Sequence, residues 1–110
     1  MSGADDELDV VLQQIAARAR ERNRARTGRL ADLVPSLGSP GEDPSLRELA
    51  VELAHQVAGS AGTFGARDAG RIARELEAAL RDGSPARPTG EGDPDHLRRL
   101  IEELRRALEG

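Results

Sequence analysis

Phe64 is the only aromatic residue in the 110-residue chain. A core without aromatic bulk must be built from Leu, Val, Ile and Ala, and Ala-rich aliphatic cores suit closely packed helices better than sheets. The spacing agrees. Apolar residues recur at three and four positions, and no stretch alternates apolar with polar as a half-buried strand would. The fold class expected is all-α, an antiparallel up-down four-helix bundle.

The first helix is predicted over about 5–34. Leu8, Val11, Leu12, Ile15 and Ala19 keep helical spacing, and Leu30, Leu33, Val34 and Leu37 resume it. Acidic residues at the start suit the positive end of the helix dipole. Gly28 marks a possible break. The stretch from Pro35 to Asp43 is loop by composition. Asp43-Pro44 then reads as an N-cap followed by proline in the first turn, opening a helix over 44–63. Its apolar stripe is Leu46, Leu49, Ala50, Leu53, Val57, Ala61 and Phe64. Gly62 and Gly65 bracket a tight turn. A third helix over 66–81 turns Ala69, Ile72, Ala73, Leu76 and Leu80 inward. The segment from Asp82 to Gly92 is a loop, and Asp93-Pro94 repeats the cap signal. The fourth helix, 94–109, buries Leu97, Leu100, Ile101, Leu104 and Leu108. One domain, 1–110, accommodates all four.

Composition excludes several classes. There is no cysteine, hence no disulfide framework and no thiolate metal site. The formal charge is −4, with Arg as the only basic residue beside His, which is unfavourable for general nucleic-acid binding. No apolar run approaches the roughly 20 residues of a membrane span, and Met1 to Asp9 has no signal-peptide core. The expectation is a cytoplasmic chain with no nucleic-acid or membrane partner. The Met start and Gly110 end fit a small free-standing protein, expected as a monomer. His55 and His96 are too far apart to suggest a metal site, no metal ligand set is expected, and His96 reads as a surface residue.

His55 is the residue that asks for chemistry. On a helical wheel it lies about 160° from both Leu53 and Val57, away from the core stripe. Its same-face neighbours at three, four and seven positions on are Ala58, Gly59 and Gly62, all small. Glycine costs a helix roughly 1 kcal/mol relative to Ala. An imidazole on a bare face suits close docking by another macromolecule. A turn centred near Gly65 sets His55 level with Arg74, Glu75 and Glu77. A carboxylate there holds one ring N–H and leaves the other nitrogen as the nucleophile.

The run His55-Gln56-Val57-Ala58-Gly59-Ser60-Ala61-Gly62-Thr63-Phe64-Gly65 resembles the signature of the histidine-phosphotransfer (HPt) domain family. It is similar to the phosphotransfer domains of chemotaxis-type histidine kinases. The resemblance continues through Ala73-Arg74-Glu75-Leu76-Glu77 and covers about 25 residues. It implies a phosphoryl carrier in a two-component phosphorelay rather than an enzyme. His55 would be the phosphoacceptor and Glu77 the residue that orients the imidazole. A histidine kinase and a response-regulator receiver would be the partners, meeting Gln56, Ala58, Gly59, Gly62 and Arg71. No cofactor is implied in this chain, and Mg²⁺ is expected in the receiver. The family usually has Lys or Arg three residues after the His, where this chain has Ala58. Arg67, Arg71, Arg74 and Arg81 share roughly one face of the third helix; Arg74, level with His55, is the expected substitute cation, with Arg71, one turn away, as the alternative.

Competing readings are a degenerate adaptor that docks partners without carrying phosphate, a helix-turn-helix DNA binder and a purely structural bundle. Net acidity counts against the DNA binder, and the bare face around His55 counts against the structural bundle. Arg18 to Arg29 is locally basic, but its charges wind around the helix. No hydrolase constellation or phosphate-binding glycine loop is present.

Overall fold

A computed structural model describes residues 3–82 and 93–109, with side chains from Asp6 onward. It contains α1 (Gly3–Leu33), a 3₁₀ turn (Val34–Ser36), α2 (Pro44–Thr63), α3 (Arg67–Asp82) and α4 (Pro94–Glu109). Among the described residues there is no strand. The chain folds as the all-α four-helix bundle expected. Each helix packs on its neighbours in sequence, and α4 returns to α1.

The terminal signals act as read. Asp43 accepts a hydrogen bond from the Ser45 backbone N–H at 2.9 Å, with Pro44 following it. At the other end of α2, Gly65 adopts φ +82 and the Ala66 N–H donates to the Ala61 carbonyl at 2.9 Å. That is a helix stop built on a left-handed residue, which glycine enters without a Cβ penalty. The segment 83–92, expected as loop, lies outside the described residues.

The suggested break at Gly28 is absent: α1 runs unbroken through it. A single interior glycine weakens a helix without breaking it, and the adjoining residues hold. Thr27, fully buried, donates its hydroxyl to the Asn23 carbonyl at 2.7 Å, and the buried Asn23 amide donates to Ser60 Oγ on α2 at 3.2 Å.

The core is aliphatic apart from the buried Asn23, Thr27 and Arg47. All five inward residues expected on α3 and all five on α4 are buried. The outer parts of two other stripes differ. Leu49 on α2 and Phe64 at its C-cap are exposed, and so are Leu8, Val11, Leu12 and Ile15 on α1. The cause on α1 is length. Its 31 residues span about 46 Å, against about 30 Å for the 20 residues of α2. The first buried residue along α1 is Ala19. The helix therefore projects past the bundle, and the molecule measures 61 × 20 × 17 Å.

One charged pair is built into the packing. Arg47 occupies a core-facing position near the start of α2. Its Nε and one terminal nitrogen donate to the two Glu42 carboxylate oxygens, each at 2.7 Å, and its other terminal nitrogen donates to the Leu80 carbonyl at 2.7 Å. Glu42 also accepts from the Gly38 N–H, and Gly38 holds φ +89. The loop before α2 is thereby tied to the last turns of α3.

The hydrogen bonds from Arg47 and Gly38 hold the Glu42 carboxyl below its ordinary pKa, against the opposing effect of burial. A depressed carboxylate pKa contributes stability that is present above the unfolded-state value and lost as pH falls through the folded one. Glu42→Gln is expected to lower unfolding stability by about 2–4 kcal/mol at neutral pH, because Arg47 keeps its charge with fewer partners. It should also flatten the acid-side loss of stability. Urea unfolding of both proteins from pH 7 down to pH 3 checks the two effects together.

Candidate functional site

α2 and α3 approach each other through small residues. Gly70 is buried on α3, and a Cβ placed on it would stand 3.5 Å from the Gly62 nitrogen and 3.6 Å from the Ala58 carbonyl oxygen. Backbone therefore meets backbone at this level of the hairpin. Two helical turns further along α3, Glu77 arrives beside α2.

His55 projects from α2 with its side chain 65% exposed, and its Nδ1 lies 3.2 Å from Glu77 Oε1. A carboxylate only accepts, so the hydrogen of a neutral imidazole resides on Nδ1. Nε2 then carries the lone pair. The Glu77 side chain is only 13% exposed. Its second oxygen, Oε2, is 2.8 Å from an Arg81 terminal nitrogen. The carboxylate is held at both ends, by imidazole and by guanidinium, and this fixes the plane against which the ring is set.

The structure thus brings together His55 and Glu77, as the sequence suggested. The remaining expected residues divide. Gln56, Gly59 and Gly62 are exposed on α2, and Arg71 and Arg74 are exposed on α3. Gln56 donates to Glu52 at 3.2 Å, and Arg71 pairs with Glu75 at 3.1 Å. Ala58 differs from the expectation. It is buried, facing α3 where Gly70 comes close, and so it is not part of an open docking face. His96, expected on the surface, is partly buried in the first turn of α4.

Arg81 was not singled out by the sequence as a partner of Glu77. The signal was available: the two lie four apart on one helix, the spacing at which side chains meet. Among the described residues no cluster of His, Cys, Asp and Glu is arranged to hold a metal ion. No described helix is long and apolar enough to cross a membrane.

An exposed imidazole on a helical bundle, its near nitrogen paired with a carboxylate, is an arrangement suited to a surface nucleophile. The family comparison agrees in class: a family model described as Hpt domain matches residues 6–109. The chain belongs to the Hpt-domain family. That membership implies involvement in phosphorelay histidine phosphotransfer; Hpt domains are phosphocarriers rather than true enzymes, and they interact with kinases and receiver domains. Nothing matching was found among curated proteins or among solved structures.

The glycine beside His55 makes a separable prediction. A Cβ at Gly59 would meet nothing within 4 Å, and its φ is not positive. Gly59→Ala is expected to stabilise the fold by about 0.5–1 kcal/mol, the difference in helix propensity. Chemical denaturation of the two proteins measures it.

Proposed function

We propose that this chain is a phosphoryl carrier that accepts phosphate on His55 Nε2 and exchanges it with an aspartate of a receiver domain. The observation that carries the reading is the Glu77 carboxylate on His55 Nδ1, with the imidazole otherwise open to solvent.

On this reading each group has a task. The Nε2 lone pair attacks phosphorus of an aspartyl phosphate, forming an N–P bond as the bond to the aspartate oxygen breaks. The ring keeps its Nδ1 hydrogen and becomes cationic. Glu77 stabilises that charge, and Arg81 holds Glu77 in position. Transfer back to an aspartate reverses these changes. Phosphoryl transfer depends mainly on alignment and on neutralising the equatorial oxygens. The open site supplies the nucleophile and its orientation, and a receiver with its Mg²⁺ would supply the remaining alignment. Gln56, Gly59, Gly62 and Arg71 would border the docked partner. With Ala58 in place of the usual cation, Arg74 is the exposed guanidinium assigned to the phosphoryl oxygens.

Incubation with a radiolabelled phospho-receiver or a cognate kinase tests this reading. Acid-labile, alkali-stable label is expected on the wild type and absent from His55→Gln. Wild type that binds receivers but takes no label from several donors would overturn it and favour an adaptor that docks without carrying phosphate.

Arg74→Ala is expected to slow transfer severalfold with the fold intact. An unchanged rate, measured by stopped reactions under single-turnover conditions, would remove Arg74 from the site.

A further inference from the structure

Leu8, Val11, Leu12 and Ile15 are 56%, 47%, 52% and 39% exposed. On a helical wheel they fall within an arc of about 100°, and Ala19 lies in the same arc. Ala19 is buried. The exposed stripe is therefore the continuation, past the end of the bundle, of the face by which α1 joins the core. The start of α2 and the ends of α3 and α4 that meet it lie at the other pole, where Arg47 reaches Leu80 and Gly38 faces Pro94.

The charges along the same projection have an order. Glu7 and Asp9 stand at its beginning, and Arg18 and Arg20 stand two to three turns later. A helix that is acidic first and basic afterwards is complementary to itself in antiparallel alignment, and opposes like charges less favourably in parallel. With the two-fold axis near Leu12, Leu8 of one copy comes level with Ile15 of the other. Glu7 then runs close to level with Arg18 of the second copy, while Asp9 and Arg20 add to the same order of charge along the helix. The same flank ends in a groove of about 230 Å³ at the bundle end, lined in part by Ala16, Ala19, Phe64 and Ala66. The leading turn of the second helix would arrive at the mouth of that groove.

We infer that the projecting part of α1 is a homodimer interface, formed by antiparallel pairing of the Leu8–Leu12–Ile15 face with that of a second copy of this chain. This departs from the monomer expected on sequence. A second copy satisfies both the apolar face and the charge order without any further assumption. The overlap is about 15 residues, or about 22 Å of helix, and so the interface belongs to the small, reversible class. A dissociation constant on the order of 10 μM or weaker is expected. His55 stays open, because the interface lies beyond the Phe64 end of α2.

Sedimentation velocity of the full chain over a wide concentration range tests the inference. The wild type is expected to shift from monomer to dimer with concentration, and Leu12→Glu is expected to stay monomeric. Since Leu12 is outside the core, helicity and melting of the monomer should be unchanged in that variant. Arg18→Glu with Arg20→Glu, and separately Glu7→Arg with Asp9→Arg, should each weaken self-association several-fold. An equimolar mixture of the two charge variants should restore dimers. A wild type that is monomeric throughout would overturn the inference, as would a Leu12→Glu protein that dimerises like the wild type. Charge variants no weaker than wild type would overturn the antiparallel pairing. A monomer that floats with anionic vesicles would instead assign the face to a membrane surface. The inference is independent of phosphotransfer, and His55→Gln should dimerise as the wild type does.

Discussion

The close approach of α2 and α3 at Gly70 is the constraint on which the site depends. A side chain there larger than Ala would push against the Gly62 and Ala58 backbones, and any separation of the two helices would be felt at every level of the hairpin. The contact between His55 and Glu77 lies along that same seam, at 3.2 Å. A shift of even 1 Å would turn a hydrogen bond into a loose electrostatic contact. The small residues of the hairpin are therefore more than a bare surface for a partner. Gly70 and Ala58 fix the interhelical distance, while Gly59 and Gly62 leave the outer face clear.

Around this seam the bundle is tied by a few polar contacts set among aliphatic packing. Arg47 joins the loop before α2 to the last turns of α3, and Asn23 joins α1 to α2. Arg24 donates to the Leu108 carbonyl at 3.2 Å, satisfying one of the open carbonyls at the end of α4. Each of these contacts crosses between elements, so each specifies which helix faces which. Leu and Ala alone, having no direction to their attraction, specify that poorly. In a core almost without aromatic residues, such directional ties carry much of the uniqueness of the packing.

Much of this was legible in the sequence. The limits of α2 and α4 follow from Asp-Pro caps and from regular apolar spacing, and the end of α2 follows from Gly65, because these signals are local. The pairing of His55 with Glu77 was also legible, since a tight turn between two helices converts sequence distance into level. What could not be read depends on tertiary context. Periodicity identifies the apolar face of α1 but not how far along it the other helices extend, so Leu8 and Leu12 look the same in sequence as Leu30. Ala58 has the right offset from His55 to share its face, yet it sits toward α3 and is covered. Arg47 interrupts an otherwise apolar face, and only the positions of Glu42 and Leu80 explain how a guanidinium is satisfied there.

Position 58 lies on the same seam. Ala58 is buried where Gly70 approaches, so a long charged side chain at that position would have to leave the helix interface before reaching solvent. The methyl group fits the seam and contributes nothing to an anion. The guanidinium side chains of this hairpin are instead carried by α3, where Arg71, Arg74 and Arg81 are exposed. Arg81 is engaged by Glu77 and Arg71 by Glu75. A positive field beside His55 can thus come from the helix opposite rather than from its own. That arrangement also separates two demands placed on α2: to pack tightly against α3, and to present an imidazole on a face without other bulk. On the proposed reading the charge would fall to the second helix, and the first is left free to be small.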